Sequence, residues 1–116
     1  MKLVRSTINS LAGLRHALKT ERALQMEVAV FILFLPLSLV VGTDLRQRGV
    51  LIGSGLFVLS VELLNTCVEK LCDHVTPRLH PEVKVVKDMG SAAVFCALLA
   101  TGFIWLTAVL QRLGIG

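Results

Sequence analysis

Glu62, Asn65 and Glu69 interrupt an otherwise apolar stretch, Glu62-Leu-Leu-Asn65-Thr-Cys-Val-Glu69. Spaced three and then four residues apart, they project from one face of a helix. No charged residue occurs from Gly49 to Val61, so this helix reads as a membrane span. A charge at bilayer depth costs roughly 3 kcal/mol or more and by default marks a functional site. Further candidates gather near the same depth. Glu21 and Glu27 lie at the start of an earlier apolar run, and Lys87-Asp88 at the start of a later one. Glu62 lies deeper than Glu69 by about 10 Å at 1.5 Å of rise per residue.

Carboxylates gathered with a lysine have a limited set of uses. They can hold Mg²⁺, which prefers oxygen donors and keeps substrate phosphates in its shell, while the lysine neutralises charge on a transferring phosphoryl group. A carboxylate in a dry setting is a better base for a hydroxyl proton. Glu62 is the natural candidate, because a lipid hydroxyl would sit just beneath the headgroups. A small proton-coupled transporter would also use an intramembrane Glu, but it needs a charge exposed alternately to both sides. The clustering of the other polar groups at one edge favours an enzyme drawing on a cytosolic substrate. There is no G-x-x-x-x-G-K-[ST] and no kinase glycine loop, so a nucleotide site must be of another kind. Structural roles compete: Asn65 as interhelical hydrogen-bond glue, Glu69 paired with Lys87, Asp88 as a helix cap or dipole partner. Trp105 suits an interfacial aromatic belt. His16, His74 and His80 show no ligand spacing.

The elements that must position these residues are all helical. Hydrophobic residues make up 54% of the chain and charged ones 17%, too oily for an ordinary soluble domain. The expected architecture is a single all-α integral membrane domain over 1–116. It comprises an amphipathic interfacial helix over 1–22, spans over 23–42, 48–72 and 86–112, and a cytoplasmic loop over 73–85. Val4, Ile8, Leu11, Leu14 and Leu18 give the first helix an apolar face, with basic residues on the others, as for a helix lying on a membrane. Pro36 predicts a mild kink, and Pro77 and Pro81 are expected to block helix continuation. The small run Gly90-Ser91-Ala92-Ala93 lets helices approach closely, or lets a ligand approach the backbone. The first apolar run lies late and lacks a small-x-small site, so it is not expected to be a cleaved signal.

Net charge is +4, and its placement is uneven. One side of the membrane takes Lys2, Arg5, Arg15, Lys19, Arg22, Lys70, Arg78, Lys84 and Lys87, the other only Arg46, Arg48 and Arg112. The N-terminus and the second loop are therefore assigned to the cytoplasm, with anionic headgroups rather than nucleic acid as the basic face's partner. The three cysteines show neither zinc nor disulfide spacing.

Glu62-Leu-Leu-Asn65-Thr-Cys-Val-Glu69-Lys-Leu-Cys-Asp73, followed by Lys87-Asp88-Met-Gly-Ser-Ala-Ala-Val, resembles the signature of the prokaryotic diacylglycerol kinase family. Gly13-Leu14-Arg15, Glu21 and Glu27 extend the resemblance over nearly the whole chain. It implies a homotrimeric enzyme of the bacterial inner membrane that serves phospholipid biosynthesis. MgATP would phosphorylate diacylglycerol to phosphatidic acid in sites shared between subunits. It implies Glu62 as general base and Asn65 as the residue orienting the catalytic carboxylate, with Glu21 and Glu69 holding Mg²⁺ and the nucleotide phosphates. Lys87 and Asp88 match the nucleotide-binding pair. Lys2, Asn9, Arg78, Leu79 and His80 fall where the family contacts nucleotide. Arg15, Ala23, Glu27, Arg48, Ser91 and Trp105 fall where it contacts lipid. The family often reads A-F-R-Q-E after Glu21, where this chain has Ala23-Leu24-Gln25-Met26-Glu27. The K-D-M-G-S-A-A block is shared with enzymes of this architecture that act on undecaprenol, which stands as the alternative acceptor.

Overall fold

Glu21 is the joint on which the chain turns. It closes α1 (Lys2–Thr20) and opens α2 (Arg22–Val41) as a single extended residue, φ −108° and ψ 109°. Neither glycine nor proline marks this break. Residues up to Glu27 carry charges and those from 28 to 43 carry none, so the break comes shortly before charged sequence gives way to apolar. The computed structural model describes residues 1–76, 78 and 80–115; Leu79, one of the expected nucleotide contacts, lies outside them.

α3 (Leu45–Val75) and α4 (Pro81–Arg112) complete the fold, and no strand occurs among the described residues. α2, α3 and α4 are each long and apolar enough to cross a membrane. α3 has 31 residues against 20 in α2. Since α3 follows α2 after a turn of three residues, its excess length, roughly 16 Å at 1.5 Å per residue, emerges at the end that also carries α1. Glu62 is the eighteenth residue of α3, which puts it near the far edge of a hydrocarbon layer about 30 Å thick. Glu69 and Asp73 lie beyond that edge.

Local chemistry explains the boundaries. At the α2–α3 turn a Cβ on Gly42 would collide with the Arg48 side chain and lie 2.8 Å from the Ser38 carbonyl, so only glycine lets α3 start that close. Asp44 caps α3, its Oδ1 accepting from the Gln47 N–H at 2.8 Å, which starts the helix at Leu45 rather than the expected 48. Gln47 Oε1 accepts from Thr43 N–H at 2.7 Å, and its Nε2 donates to Gln111 Oε1 at 2.8 Å, tying the turn to the end of α4. α2 runs through Pro36 without interruption.

The connection between α3 and α4 is shorter than the expected 73–85 loop. Pro81 does not block a helix; it opens one. At the first helical position its missing N–H would have had no partner anyway, and His80 Nδ1 accepts from the Glu82 N–H at 3.2 Å as the cap. Asp88 therefore lies well inside α4, where it neither caps the helix nor meets its N-terminal dipole.

Packing follows one stripe per helix. On α3, Leu51, Ser54, Val58 and Asn65 are buried, a recurrence of three, four and seven that stays on one face. It meets α4 chiefly, and α2. On α4 the facing positions are small: Gly90, Ala97, Thr101 and Ala108 are buried or half-buried, which permits the close approach that holds helices together in lipid. Most large apolar side chains of α2 and the outer faces of α3 and α4, such as Leu33, Leu39, Leu64, Phe95 and Phe103, are exposed. Such a surface belongs against acyl chains or other subunits.

Candidate active site

Asn65 is the polar residue the fold buries most deeply beside the expected site, 8% exposed. One turn on, its Nδ2 donates to Glu69 Oε1 at 3.0 Å. The resemblance implied that Asn65 orients Glu62; here the carboxylate it holds is Glu69. The helix geometry accounts for this, because residues i and i+4 stack along one face. Asn65 Oδ1 is buried without an N–H or O–H donor among the described residues, a condition that costs about 1–3 kcal/mol. It abuts Gly90 of α4.

Glu62, half-buried one turn away on the same face, has the Glu27 and Glu69 carboxylates as its charged neighbours. Three carboxylates from α2 and α3 thus surround one region. They are not drawn into a cage: among the described residues no three His, Cys, Asp or Glu side chains converge as a metal site.

Around this face lies a set of ion pairs, each joining an expected nucleotide-site residue to one that spacing alone did not single out. Glu21 at the α1–α2 joint receives Lys70 Nζ at 2.9 Å. Lys87 binds Asp73 at 2.5 Å, and Asp88 binds Lys84 at 2.8 Å. Lys84 and Asp88 are four apart and legible as a helical pair. Lys70–Glu21 and Lys87–Asp73 depend on how the chain folds back and leave no signal in the sequence.

A groove of about 280 Å³ opens beside Glu27. Glu27 stands with Phe31, Phe34, Leu51, Gly55 and Trp105 in its lining. Trp105 meets Phe34 edge to face, with ring centroids 5.2 Å apart, a favoured aromatic geometry. Glu27 and Trp105, both expected to contact lipid, are therefore brought to one cavity from positions far apart in the chain. The other expected lipid contacts are dispersed. Arg15, Ala23 and Ser91 are exposed, and half-buried Arg48 lies roughly 21 Å along α3 from Glu62 at the helical rise. Of the expected nucleotide contacts, Lys2 and Asn9 share a shallow depression on α1, Arg78 is exposed in the α3–α4 connection, and His80 is engaged as a cap.

Mg²⁺ takes hard oxygen donors and commonly needs only one or two carboxylates, completing its shell with phosphates and water. The exposed Glu69 carboxylate, one oxygen of it steadied by Asn65, and Glu21 fit that donor chemistry. A nucleotide's phosphates would have to supply the rest of the shell.

The match to known proteins covers the carboxylates and their ion pairs. Residues 8–109 fit the family model of prokaryotic diacylglycerol kinase. The chain belongs to that family. Relatives named diacylglycerol kinase agree. The one from Haemophilus influenzae is 37% identical over 89% of this chain and 87% of its own length. That from Pseudomonas aeruginosa is 35% identical over 94% and 89%, and that from Escherichia coli 29% over 97% and 93%. This family member is a lipid kinase, a transferase with three helices able to cross a membrane. Glu62, the Glu27 and Glu69 carboxylates around it, and both Lys87 and Asp88 fall within the matched residues.

Proposed function

We propose that the chain transfers the γ-phosphate of MgATP to the hydroxyl of diacylglycerol, yielding phosphatidic acid and ADP at the cytoplasmic face of a bacterial inner membrane. One observation carries the reading. Glu62, Asn65 and Glu69 share a helical face at the level where the apolar part of α3 ends, and Glu27, a charged neighbour of Glu62, lines an apolar groove. A lipid hydroxyl and a soluble nucleotide can meet only at such a level.

Glu62 accepts the proton of the lipid hydroxyl as its oxygen attacks the γ-phosphorus. The bond from that phosphorus to the β–γ bridging oxygen breaks, and ADP leaves with the bonding electrons. Lys87 faces the phosphates and offsets their charge, while Glu69 and Glu21 would hold Mg²⁺. When bound, the ion neutralises the phosphate oxygens and aligns the donor. The groove holds the acyl chains, with Glu27 and Trp105 at its wall. The apolar faces left bare on α2, α3 and α4 support assembly into a homotrimer. There α1 lies on the membrane surface, each site is shared between neighbouring subunits, and Lys2, Asn9, Arg78, Leu79 and His80 contact the nucleotide. The concentration of basic residues at the α1 end supports a cytoplasmic N-terminus and α3–α4 connection.

Phosphate transfer from γ-labelled MgATP in mixed micelles, with diacylglycerol and undecaprenol offered in parallel, tests the reading. Mg²⁺-dependent label on diacylglycerol is the expected result. Label on undecaprenol alone would reassign the acceptor, and label on neither, from folded protein, would overturn the proposal.

A further inference from the structure

α4 meets the buried Asn65 of the carboxylate face at a glycine. A Cβ at position 90 would run into Asn65 Oδ1 and lie 3.3 Å from Asn65 Cγ; no other heavy atom outside α4 competes for the space. Asn65 is buried beyond nine-tenths, and that same Oδ1 has no N–H or O–H donor among the described residues. It faces the Gly90 backbone, whose Cα–H occupies the direction a side chain would take, an arrangement in which a Cα–H can serve as a weak donor. The other end of the amide is committed, with Nδ2 on Glu69 Oε1 at 3.0 Å.

From this contact we infer that Gly90 is a positioning residue for the phosphoryl transfer. By carrying no side chain it seats the Asn65 amide, and the seated amide holds the Glu69 carboxylate in the orientation that receives the metal–nucleotide. Two alternatives for the amide are closed. Turning it over would set Oδ1 against the Glu69 carboxylate, two acceptors facing each other. Rotating it away would break the bond to Glu69. An alanine at 90 would thus displace the tip of Asn65 rather than any backbone, because the obstructing atom is the end of a side chain. α3 and α4 remain packed through Ala97, Thr101 and Ala108 on the same stripe.

The metal side of the inference rests on the proposed kinase reading; the packing side does not, and two measurements separate them. The first is Mn²⁺ binding by electron paramagnetic resonance, with a non-hydrolysable ATP analogue, on wild type, Gly90→Ala and Gly49→Ala. A Cβ on Gly49 meets nothing within 4 Å, and that variant is expected to bind as the wild type does. Gly90→Ala is expected to bind Mn²⁺ about 10–100-fold more weakly, the usual effect of losing a group that orients a metal ligand. Its KM for diacylglycerol should be unchanged, because the groove is not touched. A KM that rose equally for both substrates would mean general loosening of α3 against α4 and would overturn the inference.

The second measurement is a double-mutant cycle in denaturant resistance, which needs neither metal nor nucleotide. Gly90→Ala should lower the unfolding midpoint of the wild type and leave that of Asn65→Ala unchanged, since the clash has lost its partner. Equal losses in both backgrounds would sink the packing argument whatever the metal result. Wild-type protein that bound no Mn²⁺ would sink the kinase reading of Glu69, and the cycle alone would then decide the role of Gly90.

Discussion

Lys87 reaches back to Asp73, fourteen residues earlier, and binds its carboxylate at 2.5 Å. The pair bridges the two ends of the α3–α4 connection just beyond Asn65 and Glu69. Both side chains are open to solvent, so the pair adds little to stability. Its effect is on direction: a lysine has a long flexible stem, and Asp73 decides where the ammonium waits.

Asp73→Asn is therefore expected to raise the KM for MgATP by roughly two- to fivefold, the scale of an exposed ion pair, and to leave the KM for diacylglycerol alone. Lys87→Met should raise it further, because the charge itself is lost. Steady-state kinetics with each substrate varied in turn checks both. Equal KM values in wild type and Asp73→Asn would free Lys87 from this partner.

Glu62→Gln keeps size and hydrogen-bonding capacity but cannot take up a proton. A loss of about 10²–10⁴-fold in turnover is expected, the range for a general base, with the size-exclusion elution profile unchanged. Turnover like that of the wild type would remove Glu62 as the base.

A substitution at Gly55 should alter lipid handling alone. A Cβ there would lie 2.5 Å from the Phe31 ring, and both residues line the groove. Gly55→Ala pushes the ring into the cavity, so the KM for long-chain diacylglycerol should rise more than that for a short-chain analogue. MgATP kinetics should not move. A uniform loss for both lipids would argue against the groove as the acyl site.

At the opposite end, Gln47→Ala removes the bonds to Thr43 and Gln111. The cost should be about 1 kcal/mol in an unfolding titration, given the modest net worth of partly exposed hydrogen bonds. KM for both substrates should remain at wild-type values, since the clasp is far from Glu62. A kinetic effect would show that the two ends of the bundle communicate.

The helices and the face bearing Glu62, Asn65 and Glu69 were legible because both are periodic. A recurrence of three and four residues survives any arrangement of the neighbouring helices. The start of α4 was not, because Pro81 can end one helix or open another, and the deciding bond, His80 Nδ1 with the Glu82 N–H, is a matter of geometry. The partners of Glu21 and Lys87 were hidden for a related reason. Lys70 and Asp73 become neighbours of those residues only once α3 has packed beside its flanking helices. Gly90 stood out in sequence as part of a small run, yet nothing in that run says which atom it must make room for.

The chain has one tryptophan and no tyrosine. Trp105, set against Phe34 in the groove wall, is therefore the single strong near-ultraviolet emitter of the chain. Its wavelength and quenching report the wetness of one cavity, undiluted by chromophores elsewhere. Lipid entering the groove would register directly in the light the unlabelled protein emits.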